Sequence, residues 1–528
     1  MTKTEEGRTE PASEATSASA DRAPSAEGAI RTAALRETVV ALAFRPAGAT
    51  RALLDDFLSE PSWGLALRLW FGDVELLRAP VSRARILQAI DRDIARLDAL
   101  LNEQVDTILH HQRLQRFEAS WRGIQYLVAL SESGESIKIR ILNLSWAELC
   151  KDLERAIEFD QSQLFTKVYS EEFGMPGGEP FGVLIGDYAI QHLRTKDHPT
   201  DDVAAMHGIS GVAAASFSPF IVGCSPSFLG LDGFQDLGRP VDLKAIFRQP
   251  EYTRWRSFQD TDDARFVGVT LPRVLMRYAY RDDGSRIDGF RYREEVEDPR
   301  RASYLWGNAV YAFGALLIRA YAQSAWFADI RGTPQDAISG GILDTLPIEW
   351  FDTDKRGIAI RYSTDVSISE FLERDLADLG LLPLCKVKNT PYSAFYSTQS
   401  TQVAKTYTTL VASVNARLSA MVQYIMCVSR FAHFIKVIGR DRIGSYATPA
   451  ECEKFLQTWL HGYCVNNDMA PSEVKARFPL REGQIRVHEL PGKPGVYACT
   501  VHLQPHFQFD EIVSAFKLVT ELAPRAQA

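Results

Sequence analysis

The chain has 528 residues, 46% of them hydrophobic and 24% charged, which excludes a wholly disordered, collagenous or fibrous protein. Fifty-nine Lys and Arg against 67 Asp and Glu leave a net charge of −8, with no basic surplus for a nucleic-acid backbone. Seven dispersed cysteines, none in a C-x-x-C pair, read as buried thiols of a reducing compartment, so a cytoplasmic protein is expected.

Residues 1–32 are rich in Ala, Ser, Thr, Glu and Pro and poor in large apolar groups, which predicts a disordered tail. It has no apolar core of a secretory signal. A helical arm is expected over 33–84, with a short helix at 49–58 ended by Pro61. From Ile86 an apolar residue recurs every three or four positions: Leu87, Ile90, Ile94, Leu97, Leu101, Val105 and Ile108, then Leu114, Phe117, Trp121, Ile124 and Val128. These are read as helices with one buried face, and Gly123 with its aromatic neighbours suits globular packing better than a free coiled coil.

Strands and helices then alternate. Residues 137–142 predict a strand, with Ile137, Ile139 and Ile141 on one face and Lys138 and Arg140 on the other. Ser145 and Glu148 form a capping box for a helix reaching about Phe159. Further strands are expected at 181–185, 219–222 and 265–271, and helices at 201–215 and 243–258. The uncharged stretches 203–231 and 302–318 are too broken or too short for the roughly 20 apolar residues of a membrane span, so no membrane insertion is expected. A buried helix around 304–322 precedes a glycine-containing loop at 331–341. Ser367 with Glu370 reads as a second capping box, opening a helix whose Phe371, Leu372, Leu376 and Leu379 face inward and which Gly380 ends. Polar residues crowd 389–407. A long helix is expected over 411–435, ended by Gly439, and another after Thr448, Pro449 and Glu451. The end of the chain reads as β: Tyr497, Cys499, Val501 and Leu503 alternate with polar residues, and Ile512, Phe516, Leu518 and Leu522 share one face of a final strand. The expected fold class is α/β, a multi-domain chain of mixed β-sheets flanked by helices. Its large N-terminal domain is placed at 85–395 and its C-terminal domain at 396–528.

Common catalytic signatures are missing. Gly492-Lys493 is followed by Pro494 and lacks the upstream glycine of a phosphate loop, and no G-x-G-x-x-G or G-x-S-x-G occurs. His488-Glu489 has no second histidine at zinc-ligand spacing. His502 and His506 are four apart, but Pro505 lies between them in a strand context. The acid pairs Asp262-Asp263 and Asp282-Asp283 sit in expected loops. Arg430, His433 and Lys436 share one side of the long helix, where a solvated or salt-bridged face outweighs an anion or protein contact. No catalytic residue, cofactor or metal is assigned, which favours a structural or assembly role.

Several longer segments carry more. Phe117-Glu-Ala-Ser-Trp-Arg-Gly-Ile-Gln-Tyr-Leu-Val128, Phe181-Gly-Val-Leu-Ile-Gly-Asp-Tyr188 and Phe217-Ser-Pro-Phe-Ile221 with Phe228-Leu-Gly-Leu231 come first. Ala264-Arg-Phe-Val-Gly-Val-Thr-Leu-Pro-Arg273, Tyr304-Leu-Trp-Gly-Asn-Ala309, Ser429-Arg-Phe-Ala-His-Phe-Ile-Lys436 with Ile443-Gly-Ser445, and Pro505-His-Phe507 follow. In this order they resemble the large subunit of the type VI secretion contractile sheath, the TssC/VipB/EvpB family, across about 85–522. The resemblance implies a core related to phage tail sheath proteins and a non-enzymatic role. The family's large subunit pairs with a small sheath subunit, TssB or VipA. The pairs stack with further copies around an Hcp inner tube on a baseplate, and the contracted sheath is dismantled by the AAA+ ATPase ClpV. A baseplate or adaptor component sharing the sheath core without polymerising is the alternative. By the same resemblance, Leu53, Leu54, Asp55, Asp56, Phe57 and Leu58 look like the Leu-Leu-Asp-Glu-Ile helix that the family presents to ClpV, with Asp56 for Glu and Phe57 for Ile. The final strand, with Ile512, Phe516, Leu518 and Leu522, is expected to complete a sheet in a neighbouring subunit. Two features depart from the family pattern: the Ala/Ser-rich tail, and a loop at 331–341 longer than the usual Gly-Pro-Gln-Ser-Gly-Gly.

Overall fold

The computed structural model describes residues 50–71, 83–132, 137–175, 177–284, 290–296, 301–334, 338–348, 361–441, 448–467, 470–489, 497–506 and 516–522. By its internal contacts the chain divides into two units, Met1–Leu109 with Tyr280–Glu295, and His110–Ala279 with Val296–Ala528.

In the first unit, Thr50–Ser59 and Trp63–Phe71 are short helices on either side of Pro61. A long helix, Arg83–Leu109, follows. Trp70 donates its indole N–H to Asp93 at 3.1 Å, and Tyr292 donates its hydroxyl to Asp106 at 2.6 Å.

The second unit is built on a six-stranded sheet. Strands β1 (Leu184–Ile190), β2 (Phe220–Cys224) and β3 (Val267–Leu271) run parallel, with Leu184 opposite Phe220 and Phe220 opposite Val267. A two-residue pair, β4 (Val274–Leu275) and β5 (Trp306–Gly307), forms a separate antiparallel ladder. Strand β6 (Ile342–Leu343), β7 (Leu382–Lys386) and β8 (Ser393–Phe395) complete the main sheet in the order β1-β2-β3-β7-β8-β6, with β7 parallel to β3 and the last two pairings antiparallel. Every residue of β2 and β3 is buried, as parallel strands covered on both faces require.

The two faces carry two cores. Phe220, Val222, Val267 and Val269 meet the helix Asp202–Ser216 and the aromatic group of Phe228, Trp255 and Phe258. Ile221, Leu382 and Leu384 meet Phe313, Leu316 and Leu317 of the helix Val310–Ser324, and Leu127 of the helix Gln112–Ser131. Gly123 lies where a side chain would meet the ring of Tyr311, which lets these two helices approach. Asn308 donates its amide to the Tyr188 carbonyl at 2.7 Å and accepts from the Val310 N–H at 3.2 Å. A Cβ at Gly223 of β2 would collide with that amide.

A third core joins the helices Val422–Asp441 and Pro449–His461 to a three-stranded antiparallel sheet. It contains β9 (Leu480–Glu489), β10 (Tyr497–Pro505) and β11 (Phe516–Leu522), with β10 in the middle.

Both helix starts at Ser145 and Thr448 are as the sequence signals. Ser145 accepts from the Glu148 N–H at 3.3 Å while Glu148 accepts from the Ser145 N–H at 2.9 Å, and Thr448 accepts from the Glu451 N–H at 3.3 Å. Gly380 has φ +80°, the left-handed conformation expected past a helix end.

Elsewhere tertiary contacts override local pattern. The cap of the helix Glu370–Asp378 is Ser369, not Ser367, and Phe371 points outward at 86% exposure. The helix expected over 243–258 breaks at Pro250, which has no N–H to donate, into Leu243–Phe247 and Thr253–Gln259. The helix after Ser145 ends at Arg155. The helix expected over 411–435 is two, Leu410–Ser419 and Val422–Asp441. Between them, Ala420 accepts from the Ser400 N–H and Val422 donates to Thr398, so the break hydrogen-bonds to an extended neighbour.

The largest correction concerns 137–142. The segment holds no helix, turn or bend and, among the described residues, joins no sheet. Arg140 pairs with the buried Glu172 and Lys138 with Glu179, and the Arg140 guanidinium lies 5.4 Å from the Phe181 ring. The ion pairs tie this run to the chain's own 172–181 segment, while Ile141 and Leu142 stay exposed at 62% and 58%.

Candidate assembly surfaces

Among the described residues no group of three or more His, Cys, Asp and Glu side chains could share a metal, and no helix is long and apolar enough to cross a membrane. What the chain offers instead is apolar side chains on exposed elements and strands at sheet edges.

The arm helix Thr50–Ser59 leaves Asp55, Asp56 and Leu58 exposed, with Leu58 at 72%. Phe57 is half-buried, its ring 5.0 Å from that of Trp70 on the next helix. Leu53 and Leu54 lie in the same helix, but their side chains fall outside the described ones. The expected apolar face thus divides: Phe57 closes a hairpin within the chain and Leu58 stands free of it.

No residue of the helix Arg83–Leu109 is buried, against the expectation of a core-facing stripe. Leu87, Ile94, Leu101 and Ile108 are all exposed at seven-residue spacing. Phe117 and Trp121 of the following helix are exposed too, while Ala119, Gly123 and Leu127 face the core. Periodicity identified the helices correctly and misplaced part of their apolar surface, because period alone cannot say which chain supplies the cover.

The two edges of the terminal sheet differ. On β9, Glu453 and Gln457 of the helix Pro449–His461 reach over the edge: Gln457 accepts from the Ile485 N–H at 2.6 Å and Glu453 from the Val487 N–H at 2.8 Å. Such side-chain cover blocks further strand addition. On the other side, β11 is the outer strand, paired to β10 from Phe516 opposite Leu503 to Leu522 opposite Tyr497. Phe516, Leu518 and Leu522 alternate along it, and Ile512 lies outside the described residues.

Arg430, His433 and Lys436 are not a solvated face. Lys436 is caged by the rings of Tyr169, Phe173 and Phe217 at 5.2, 5.0 and 4.8 Å. Burial pushes its pKa down to about 8. His433 bonds the Ser216 carbonyl at 2.9 Å, and burial pushes it down to about 3. Arg430 lies 4.5 Å from the Phe434 ring, and Arg440 donates to the carbonyls of Glu172, Met175 and Gly178. Lys436, Arg440 and the neutral His433 fasten the helix Val422–Asp441 to the chain's own 169–178 and 216–217 segments, while Arg430 reaches the Tyr321 hydroxyl. The aromatic partners are more than 200 positions away in sequence, which is why spacing along the helix did not disclose the cage.

Two family models match the chain in order. Residues 91–402 match the EvpB/VC_A0108 tail sheath N-terminal domain, and residues 411–522 the EvpB/VC_A0108 tail sheath gpW/gp25-like domain. The chain belongs to the EvpB/VipB tail sheath family. It is 37% identical over 446 residues to the type VI secretion system sheath protein TssC1 of Pseudomonas aeruginosa, covering 84% of this chain and 87% of that one. Within the family frame, the matched N-terminal domain holds the six-stranded sheet and the gpW/gp25-like domain holds the caged helix and the terminal sheet.

Proposed function

We propose that this chain is the structural large subunit of a type VI secretion contractile sheath, assembling with a small sheath subunit and further copies of itself around an Hcp inner tube. The observation that carries the reading is the match of both sheath domains in order, supported by identity to a sheath protein over most of both lengths. Apolar side chains left outside the chain's own cores fit a subunit completed by neighbours. The work is mechanical: subunits shift against one another and drive the inner tube and its spike outward. ATP hydrolysis would belong to a ClpV-type ATPase, and a baseplate would anchor the assembly. Co-expression with a small sheath subunit, followed by electron microscopy, tests this. Long hollow tubules are expected; discrete particles would instead indicate a non-polymerising adaptor.

Two surfaces are assigned within this reading. The strand β11, with Phe516, Leu518 and Leu522 and with Ile512 before it, links neighbouring subunits through backbone ladder bonds, which hold while rigid bodies rotate. Deleting residues 511–528 should leave the heterodimer intact and abolish long tubules; persisting tubules would make the strand internal structure only. The helix with Leu53, Leu54, Asp55, Asp56, Phe57 and Leu58 is the disassembly signal read by the ATPase. Leu58→Asp changes its exposed apolar contact without touching the Phe57–Trp70 packing. Contracted tubules should then resist the ATPase while assembling normally, and unchanged disassembly would remove the helix from this role.

A further inference from the structure

The run 137–143 holds no helix, turn or bend, and among the described residues it pairs with no strand. Among the described residues, none of its N–H or C=O groups has a hydrogen-bond partner, and the first contact beyond it is the Tyr188 hydroxyl on the Leu144 carbonyl at 2.7 Å. Residues 138–143 are all exposed. Ile139 is partly exposed at 37%, and Ile141 and Leu142 are exposed at 62% and 58%. Pairing along one edge of a strand satisfies donors and acceptors together, and an alternating apolar face asks for an apolar cover on the same side.

Two ion pairs hold the run to the body. Arg140 and Lys138 are held by Glu172 and Glu179, and Glu172 also accepts from the Glu179 N–H at 2.7 Å. The Arg140 ring contact at Phe181 adds a further hold. The segment is thus an exposed run anchored by two ion pairs, with its backbone hydrogen-bonding groups open, a template for β-augmentation.

We propose that 137–143 pairs with an extended segment of a different polypeptide, apolar at alternate positions where it faces Ile139 and Ile141 and free of Lys and Arg on its other side. Charge and space argue against a second copy. Self-pairing in either direction that keeps the isoleucines together sets Lys138 and Arg140 near the other copy's Lys138 and Arg140, an unfavourable cross-strand pairing. It also brings both copies' Glu172 and Glu179 segments to the same side of the ribbon. A different chain, lacking those cations, meets neither obstacle. In the reading proposed above this chain is the small sheath subunit, and the assignment of the partner rests on that reading.

The test is amide hydrogen exchange on the full chain co-assembled with the small subunit. Paired, the amides of 138–143 exchange at least about 100-fold more slowly than their intrinsic chemical rates. Intrinsic rates there, in a complex whose β2 and β3 amides are protected, overturn the inference while leaving the sheath assignment standing. Failure of the two chains to associate at all overturns both. Ile141→Pro removes one backbone donor at an exposed position and should lower the yield of assembled complex about tenfold, whereas Ile141→Val should not. Wild-type assembly of the proline variant would overturn the pairing as well.

Discussion

Strand β2 and the run 137–143 both carry β-branched residues in a strand-like pattern, yet they have opposite fates. Phe220–Cys224 has a parallel neighbour on each side and a helical layer on each face, and all five residues are buried. The other run has no ladder partner among the described residues and shows its isoleucines to water. The difference is one of closure. Four parallel strands with two helical layers make a core that the chain completes by itself, while the 137–143 run, the Arg83–Leu109 helix and Phe117 with Trp121 present apolar surface that it does not complete. A subunit of a polymer needs both kinds of region: a body that survives rotation and surfaces finished by neighbours.

The comparison breaks most readily at its closed end. Gly223→Val drives a branched side chain into the Asn308 amide, which bridges β1 to the start of the Val310–Ser324 helix. Such overpacking costs about 1–3 kcal/mol, and displacing the half-buried amide from its hydrogen bonds adds about 1 more. The variant should recover little soluble complex and melt many degrees lower; a wild-type midpoint would show that the sheet is looser than described.

The caged helix gives a smaller, pH-dependent effect. His433 is neutral when folded because burial holds its pKa near 3, whereas the unfolded chain protonates it near 6.5. The unfolded state then binds the extra proton, so stability is full above pH 6.5 and falls as pH drops toward 3, by about 1.4 kcal/mol per unit. Lys436 acts with the same sign higher up, between about 8 and 10.5. Melting midpoints should decline from pH 6.5 to 4.5, and His433→Gln should flatten that decline. An equal slope in the variant would place the acid sensitivity elsewhere.

Much of this organisation was legible in the residues. The buried strands around 220 and 267 declared themselves as short apolar runs, and Ser145, Thr448 and Gly380 marked helix ends by chemistry that acts within four residues. What escaped was decided at long range. Nothing near Ile139 reveals that Glu172 and Glu179 will hold Arg140 and Lys138, and nothing near Lys436 reveals Tyr169, Phe173 and Phe217. The exposed leucines and isoleucines of Arg83–Leu109 carry a core-like pattern, which period alone cannot tell from a face that the chain leaves open.

The smallest effect on the chain itself is expected at the open end. Ile139→Ser with Ile141→Ser alters exposed side chains only, so the midpoint of the chain's own unfolding should move by less than about 0.5 kcal/mol in stability. Tubule formation with the small subunit should nevertheless fall. A large loss of intrinsic stability would mean that the chain covers this run itself and that the contrast with β2 is false.

An electron cryo-microscopy map of the co-assembled complex tests the central claim most directly. The account predicts a tubular wall in which a strand of the second polypeptide lies about 4.8 Å from residues 137–143, with apolar side chains over Ile139 and Ile141. A tubule wall that leaves this run facing solvent, or a complex that forms no tubule, would contradict it.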